Sequence, residues 1–279
     1  MTLPVFVSET LHHEAIDWAT RASANGGLIS TTTIRAVSEF CRAIDSAGIR
    51  DRFLRLNLSA GGFLGSLVPL YRAASFGATV IGNATDTNIN FVSGDHAETG
   101  ASAGWKGNGT SKYLQTGVVP STAMTYGNTH LSTFVEAAHT TGATAFPIMI
   151  GSRTGSLWLL MSAAQSTLST PAYYQDENGG AAFSIVANPT GHIVGSTIAQ
   201  ADKRFFINAV QSGSTTTNAP ATTLPTVGVY VMANNFAGTA QLWYSGRVSA
   251  YSIGRGMTAA QVSAYTAAML AVRAALNRS

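Results

Sequence analysis

Carboxylates, the side chains that most often carry acid and base chemistry, are scarce in the larger part of this chain. Residues 99–279 hold only Glu136, Asp176, Glu177 and Asp202, and glycoside hydrolysis needs two carboxyl groups facing each other across the scissile bond at about 5–10 Å. Asp176 and Glu177 are the one close pair, in the run YYQDENGGA, whose Asn and glycines read as a turn. Gly100-Ala101-Ser102-Ala103-Gly104 has the spacing of a nucleophile elbow, but an elbow needs an apolar strand before it and a helix after it. Asp95 to Thr99 and Trp105 to Tyr113 supply neither. Gly107-Asn108-Gly109-Thr110-Ser111-Lys112 lacks the Gly-Lys-Ser/Thr order of a phosphate loop and reads as a tight turn into a strand. His12 and His13 are adjacent, so on a helix they diverge by about 100°. His96, His130, His139 and His192 have no zinc spacing. Asp86, Asn88, Asn90 and Asp95 offer oxygens, but not in EF-hand order. The sequence therefore predicts no catalytic residue, no metal site and no cofactor.

Sugar binding asks for different residues. A pyranose face stacks on an aromatic ring while an amide bonds its hydroxyls. Three places combine the two: Tyr173-Tyr174-Gln175, Trp105 with Asn108, and Asn234-Asn235 near Trp243. Trp158 and Trp243 lie in apolar runs and read as core.

The elements that must position these residues change character along the chain. Glu9 to Ala24 predicts a helix ended by Asn25-Gly26-Gly27, with Leu11, Ala15, Trp18 and Ala22 as its stripe. A second helix follows Ser30-Thr31-Thr32 and runs to about Ser46, with Ile34, Val37, Cys41 and Ile44 on one face. Cys41, the only cysteine, sits there as a small buried thiol, and no intramolecular disulfide can form. From Ile49 the stretch IRDRFLRLNL alternates as a strand with one wet face. Residues 60–110 have loop composition. From Lys112 short strand candidates alternate with Gly/Asn/Ser/Thr turns, the pattern of a sandwich or jelly roll. Gln241 to Ile253 reads as a strand pair or one bulged strand. Thr258 and Gln261 then form a capping box, and Val262, Tyr265, Met269, Val272 and Leu276 stripe a closing helix. The expected fold is mainly β, an antiparallel sandwich of jelly-roll type with an N-terminal helical segment (1–48, for docking or oligomerisation) and a body (49–279) ending in a helix.

Composition bounds the partners. Only 10% of residues are charged, against a usual quarter or so, so Ser, Thr, Asn, Gln and Gly must provide the wet surface. The balance is −2 over residues 1–98 (seven Lys/Arg, nine Asp/Glu) and +5 beyond (nine and four). No basic cluster suggests nucleic acid, and no apolar run approaches the ~18 residues of a membrane span. The first residues lack the pattern of an export signal, which predicts a soluble product made in a cytosol.

Trp105-Lys106-Gly107-Asn108-Gly109, the strand from His130, and the closing Trp243-Tyr244-Ser245-Gly246-Arg247-Val248 with Met257-Thr258-Ala259-Ala260-Gln261-Val262 together resemble the concanavalin A-like lectin/glucanase superfamily in its LamG-like form. The glucanases of that group carry an ExDxE strand, which is missing here. AIDSAGIRDRFLRLNL and GNATDTNINFV further resemble uncharacterised proteins of tailed bacteriophages. The resemblance implies a non-enzymatic virion component (tail, fibre, baseplate or capsid decoration), homo-oligomeric, located in the virion, contacting other virion proteins and host-surface glycans through Trp105, Asn108, Tyr173, Tyr174, Gln175, Asn234 and Asn235. The alternatives are a glycoside hydrolase or lyase using Asp176, Glu177 or Glu136, and a structural cement protein.

Overall fold

The computed structural model describes residues 10–140, 146–163, 172–177, 189–216 and 223–278, with 172–177 and 215 described by backbone alone. The chain opens with α1 (His13–Ala24) and α2 (Thr31–Ser46), followed by β1 (Phe53–Asn57) and a single turn, α3 (Gly62–Gly65). Short strands β2 (Thr87–Ile89), β3 (His96–Ala97), β4 (Gly104–Lys106) and β5 (Tyr113–Gln115) and a turn α4 (Pro120–Ala123) lead to the long β6 (Thr129–Ala137). Then come β7 (Ile148–Thr154), β8 (Leu157–Ser162), β9 (Ala172–Glu177), β10 (Gly191–Ala199), β11 (Asp202–Ile207) and β12 (Val210–Thr215). The chain closes with β13 (Tyr230–Val231), β14 (Asn234–Phe236), β15 (Thr239–Gln241), β16 (Arg247–Gly254) and α5 (Ala259–Ala275). No helix among the described residues is long and apolar enough to cross a membrane.

Two sheets result. The first runs β12-β11-β10-β6-β16-β4-β3, with β1 also paired to β16; the second runs β15-β14-β7-β13-β5-β2, with β8 on β7 and β9 on β8. Alternate side chains of a strand point to opposite faces. Leu131, Val135, Ile193, Phe205, Val248 and Ile253 of the first sheet therefore share one apolar core with Leu114, Ile150, Leu159, Met161 and Val231 of the second. The expectation of a wholly antiparallel sandwich needs one correction, because β14 runs parallel to β7. Of the strand pair or single bulged strand expected over Gln241 to Ile253, two separate strands form: β15 ends at Gln241, and β16 starts at Arg247.

A second core lies on the other side of the first sheet. The stripes of α1, α2 and α5 (Trp18, Val37, Phe40, Ile44, Tyr265, Met269) pack there with Phe53, Leu56, Tyr71, Phe134 and Val194. The caps explain the boundaries. Ser30 accepts from the amide of Thr33 at the start of α2, and Thr258 and Gln261 exchange bonds at the start of α5. Helix α1 begins later than its sequence suggests because His12 Nδ1 caps it, accepting from the amide of Glu14. Segment 1–48 thus contributes half of a layer that α5 completes, and α2 and α5 touch through Ala36, Phe40, Ala268 and Val272.

The strand β1 corrects the expectation of a wet face. All five of its residues are buried. Arg55 and Asn57 face Asp86: Arg55 Nη2 donates to Asp86 Oδ1 at 2.7 Å, Asn57 Nδ2 to Oδ2 at 2.8 Å, and the Tyr251 hydroxyl to both oxygens at 2.7 Å. Arg55 also donates to the carbonyls of Ile81 and Asn83. Burial opposes the charge on Arg55, but Tyr251 and Asp86 outweigh it and raise its pKa. Every polar atom of this pin that burial would penalise has a partner.

Candidate functional site

The two outer faces of the sandwich offer different chemistry, and the face of the second sheet is the one with groups a ligand could meet. Because Leu114, Ile150, Met161 and Val231 point into the core, their strand neighbours Tyr113, Gln115, Gly151, Leu160 and Tyr230 take the opposite side. There the rings of Tyr113 and Tyr230 lie 4.8 Å apart. Gln115 Nε2 reaches the Tyr113 hydroxyl at 3.5 Å and that of Tyr230 at 3.4 Å. Burial first, then the neighbouring Tyr113, pushes the Tyr230 hydroxyl up.

One register row away, three strands meet. Arg153 on β7 pairs with Trp158 on β8 and with Phe236 on β14. Its guanidinium carbon sits 4.3 Å from the Trp158 ring centre and 4.6 Å from that of Phe236. Each such contact is worth about 0.5–1 kcal/mol, and the pair holds the plane of the fork still. Arg153 Nε donates to the carbonyl of Gly155 at 2.8 Å, which fixes its direction. Partial burial lowers its pKa from the usual guanidinium value. Trp158, Phe236, Tyr113 and Arg153 are all half-buried. Gly151 permits the arrangement, because a Cβ there would stand 2.3 Å from Leu160 Cβ.

The sequence-predicted residues fall in three groups. Trp105 is 1% exposed and packs on Phe63, Phe91 and His96 at 4.9–5.3 Å, so it is corrected from sugar platform to core. Asn234 and Asn235 are buried as well. Asn235 braces a turn, donating to the Gly228 carbonyl and accepting from the Gly238 amide, both at 2.8 Å. Asn234 Oδ1 has no hydrogen-bond partner but is sealed from solvent. Asn108 is exposed, yet its Oδ1 is spent on the amides of Thr110, Ser111 and Lys112 at 2.9–3.1 Å. Tyr173, Tyr174 and Gln175 belong to β9 with Asp176 and Glu177, so the turn expected there is a strand; their side chains lie outside the described residues. Their register is informative. Tyr174 stands opposite Leu160 and Asp176 opposite Trp158, in the two rows just built.

Other polar groups form closed sites. His130 Nε2 and Ser252 Oγ are 2.8 Å apart, Ser252 and Ser132 2.6 Å, and Ser132 reaches Tyr265 at 3.3 Å. The constellation looks like a nucleophile relay, but all four are buried beneath α5. Burial holds His130 at about 4 and His192 at about 3. Glu136, a carboxylate the hydrolase alternative relied on, is bound by Arg273 and Ser249 under the same helix. A cavity of about 250 Å³ beside α1 is lined by Glu14, Asp17, Arg21, Arg50, Tyr71 and Arg72. Its carboxylates are ion-paired: Glu14 with Arg50 at 2.7 Å and Asp17 with Arg21 at 2.8 Å.

Sequence reasoning missed the Arg153 sandwich. Trp158 and Phe236 are far apart in the chain, and only the parallel β14–β7 pairing brings them together. It also missed that His12, Glu14 and Cys41 converge.

No family model and no curated protein matches the chain. Among solved structures, domain 4 of AbnA, a GH43 extracellular arabinanase from Geobacillus stearothermophilus in complex with arabinotriose, is 15% identical with a TM-score of 0.47, covering 77% of this chain and 98% of that one. The CBM40 of the Ruminococcus gnavus IT-sialidase is 9% identical at a TM-score of 0.37, covering 55% and 92%. A Trypanosoma rangeli sialidase mutant displaying trans-sialidase activity is 11% identical at 0.46, covering 88% of this chain and 40% of that one. These structures are of carbohydrate-active proteins. The expectation of a bacteriophage virion protein, with tail or capsid-decoration partners, is corrected accordingly, as is the concanavalin A-like virion resemblance behind it. The expectation of a non-enzyme is corrected too: an enzymatic role stays open, and His12, Glu14 and Cys41 form a group of ionisable side chains at the α1–α2 junction.

Proposed function

We propose that the protein handles carbohydrate, engaging a glycan on the outer face of the second sheet. One observation carries the reading: the Arg153 guanidinium lies over the rings of both Trp158 and Phe236, a row away from the Tyr113–Gln115–Tyr230 group. Half-buried rings supply faces for sugar C–H surfaces, and a guanidinium and an amide supply fixed donors for hydroxyl or carboxylate oxygens. Of Tyr173, Tyr174 and Gln175 on the neighbouring strand, Tyr174, in register with Leu160, extends this platform, and a jelly-roll wiring of the two sheets belongs to the same proposal.

A glycan array probed with the purified chain, including arabinotriose and a sialylated trisaccharide, tests the reading. Binding that drops about thirty-fold in Arg153→Ala and in Trp158→Ala, and is unchanged in Asn108→Ala, supports it. Absence of binding to any glycan, or binding indifferent to Arg153, removes it.

A second reading, cleavage of the bound polysaccharide, is favoured by the register of Asp176 opposite Trp158. Consecutive strand residues point to opposite faces, so Asp176 and Glu177 cannot both serve on the platform. Reducing-end release from the bound polysaccharide, abolished in Asp176→Asn with binding retained, would support cleavage. Release unaffected by that change would exclude Asp176.

A further inference from the structure

We propose that His12, Glu14 and Cys41 form a binding site for a borderline-soft divalent cation such as zinc, at the junction of α1 and α2. This site shares no residue with the glycan platform and stands independently of it. One imidazole nitrogen of His12, a carboxylate oxygen of Glu14 and Cys41 Sγ all lie within 4.8 Å of one another. Nitrogen, oxygen and sulfur are the three donor types zinc takes, at roughly 2.0–2.3 Å, so each pair needs to close by about 1 Å around the ion.

Asp45 Oδ2 lies 3.0 Å from His12 Nε2. A proton on Nε2 would satisfy that pair, and Nδ1, which accepts from the Glu14 amide at 3.2 Å, would exchange that bond for the ion. This is the carboxylate–histidine–metal order that orients and strengthens imidazole ligands. Tyr71 is 1% exposed, and its hydroxyl lies against the Cys41 thiol. A neutral thiol is only a weak hydrogen-bond partner for that hydroxyl. A metal-bound thiolate would accept a charge-assisted hydrogen bond from it.

Charge agrees. Glu14, Asp45 and a Cys41 thiolate are three negative groups, and Arg50, bonded to Glu14 at 2.7 Å, is one positive group. Two negative charges remain, which one divalent cation balances. Burial pushes the Cys41 thiol up to about 12, so binding must displace its proton. Glu14 and Tyr71 also line the cavity beside α1, which gives the ion a way in.

Cobalt titrated into the chelator-treated full chain tests the site. The expected result is one cobalt per chain, with a thiolate-to-cobalt charge-transfer band in the near ultraviolet. Cys41→Ser should abolish that band and weaken binding by about 100-fold. His12→Asn, which keeps a helix-capping side chain, should weaken binding while leaving the far-ultraviolet dichroism unchanged, so a folding defect in the cysteine variant cannot mask the outcome. Zinc should raise the melting temperature of the wild type but of neither variant. No cobalt uptake by the wild type would overturn the proposal. So would a spectrum identical in wild type and Cys41→Ser, since it would place the ligands elsewhere.

Discussion

The two outer faces of this sandwich invert the ordinary arrangement. On the first sheet, the face under α2 and α5 is rich in polar groups: His130, Ser132, His192, Ser196 and Ser252 are buried there and bond to one another or to the helices. On the second sheet, which no helix among the described residues covers, the outer face carries half-buried Trp158, Phe236 and Tyr113 around Arg153. A covered face can hold histidines and serines because each finds a partner and water is excluded. A face with aromatic rings at its surface bears a cost in exposed apolar area that a ligand relieves. One face is a joint; the other is a platform.

The comparison breaks most visibly at the joint. Tyr265→Ala removes a fully buried ring that meets Phe53 at 4.7 Å and His192 at 4.5 Å, and should cost about 3–5 kcal/mol in urea denaturation. Acid should open the same layer. Burial holds His130 and His192 at about 4 and about 3, below the 6.5 of an unperturbed histidine. The unfolded chain therefore takes up protons first, so this contribution is complete above about pH 6.5 and is lost as pH falls toward 4. By pH 5 the loss is about 2 kcal/mol per histidine. His192→Phe, which keeps a ring beside Phe134, should flatten about half of it, as seen in melting curves across pH.

The platform should respond in the opposite way. Trp158→Ala is expected to lower glycan affinity by about 2 kcal/mol in calorimetry while moving stability by about 1 kcal/mol. Equal losses of both would erase the distinction between the faces. The smallest effect is Tyr113→Phe, which removes only a 3.5 Å contact to Gln115 and should change affinity by about 0.5 kcal/mol.

Much of the scaffold was legible before the structure because it is local. Ser30, Thr258 and Gln261 announce helix starts, and the stripes of α2 and α5 emerge as the buried faces. What failed depends on residues distant in the chain. The alternation of β1 is real, but its polar side turned out dry, because Asp86 comes 31 residues later than Arg55 to meet it. Trp105 and Asn108 look like a ring with an amide; folding sends the ring inward and spends the amide on its own turn. Glycines around Asp176 and Glu177 suggested a turn, whereas pairing with β8 makes the pair a strand. The residues that form the platform sit on strands whose order, with β14 parallel to β7, no periodicity discloses.

The most direct test of the account is an amide, indole and guanidinium chemical-shift titration of the full chain with the best glycan from the array. The account predicts that the largest changes fall on the Trp158 indole, the Arg153 Nε–H and the Gln115 amide, with the Trp105 and Trp18 indoles still. Shifts centred on the α1 cavity or on the Asn108 turn, with Arg153 unmoved, would contradict it.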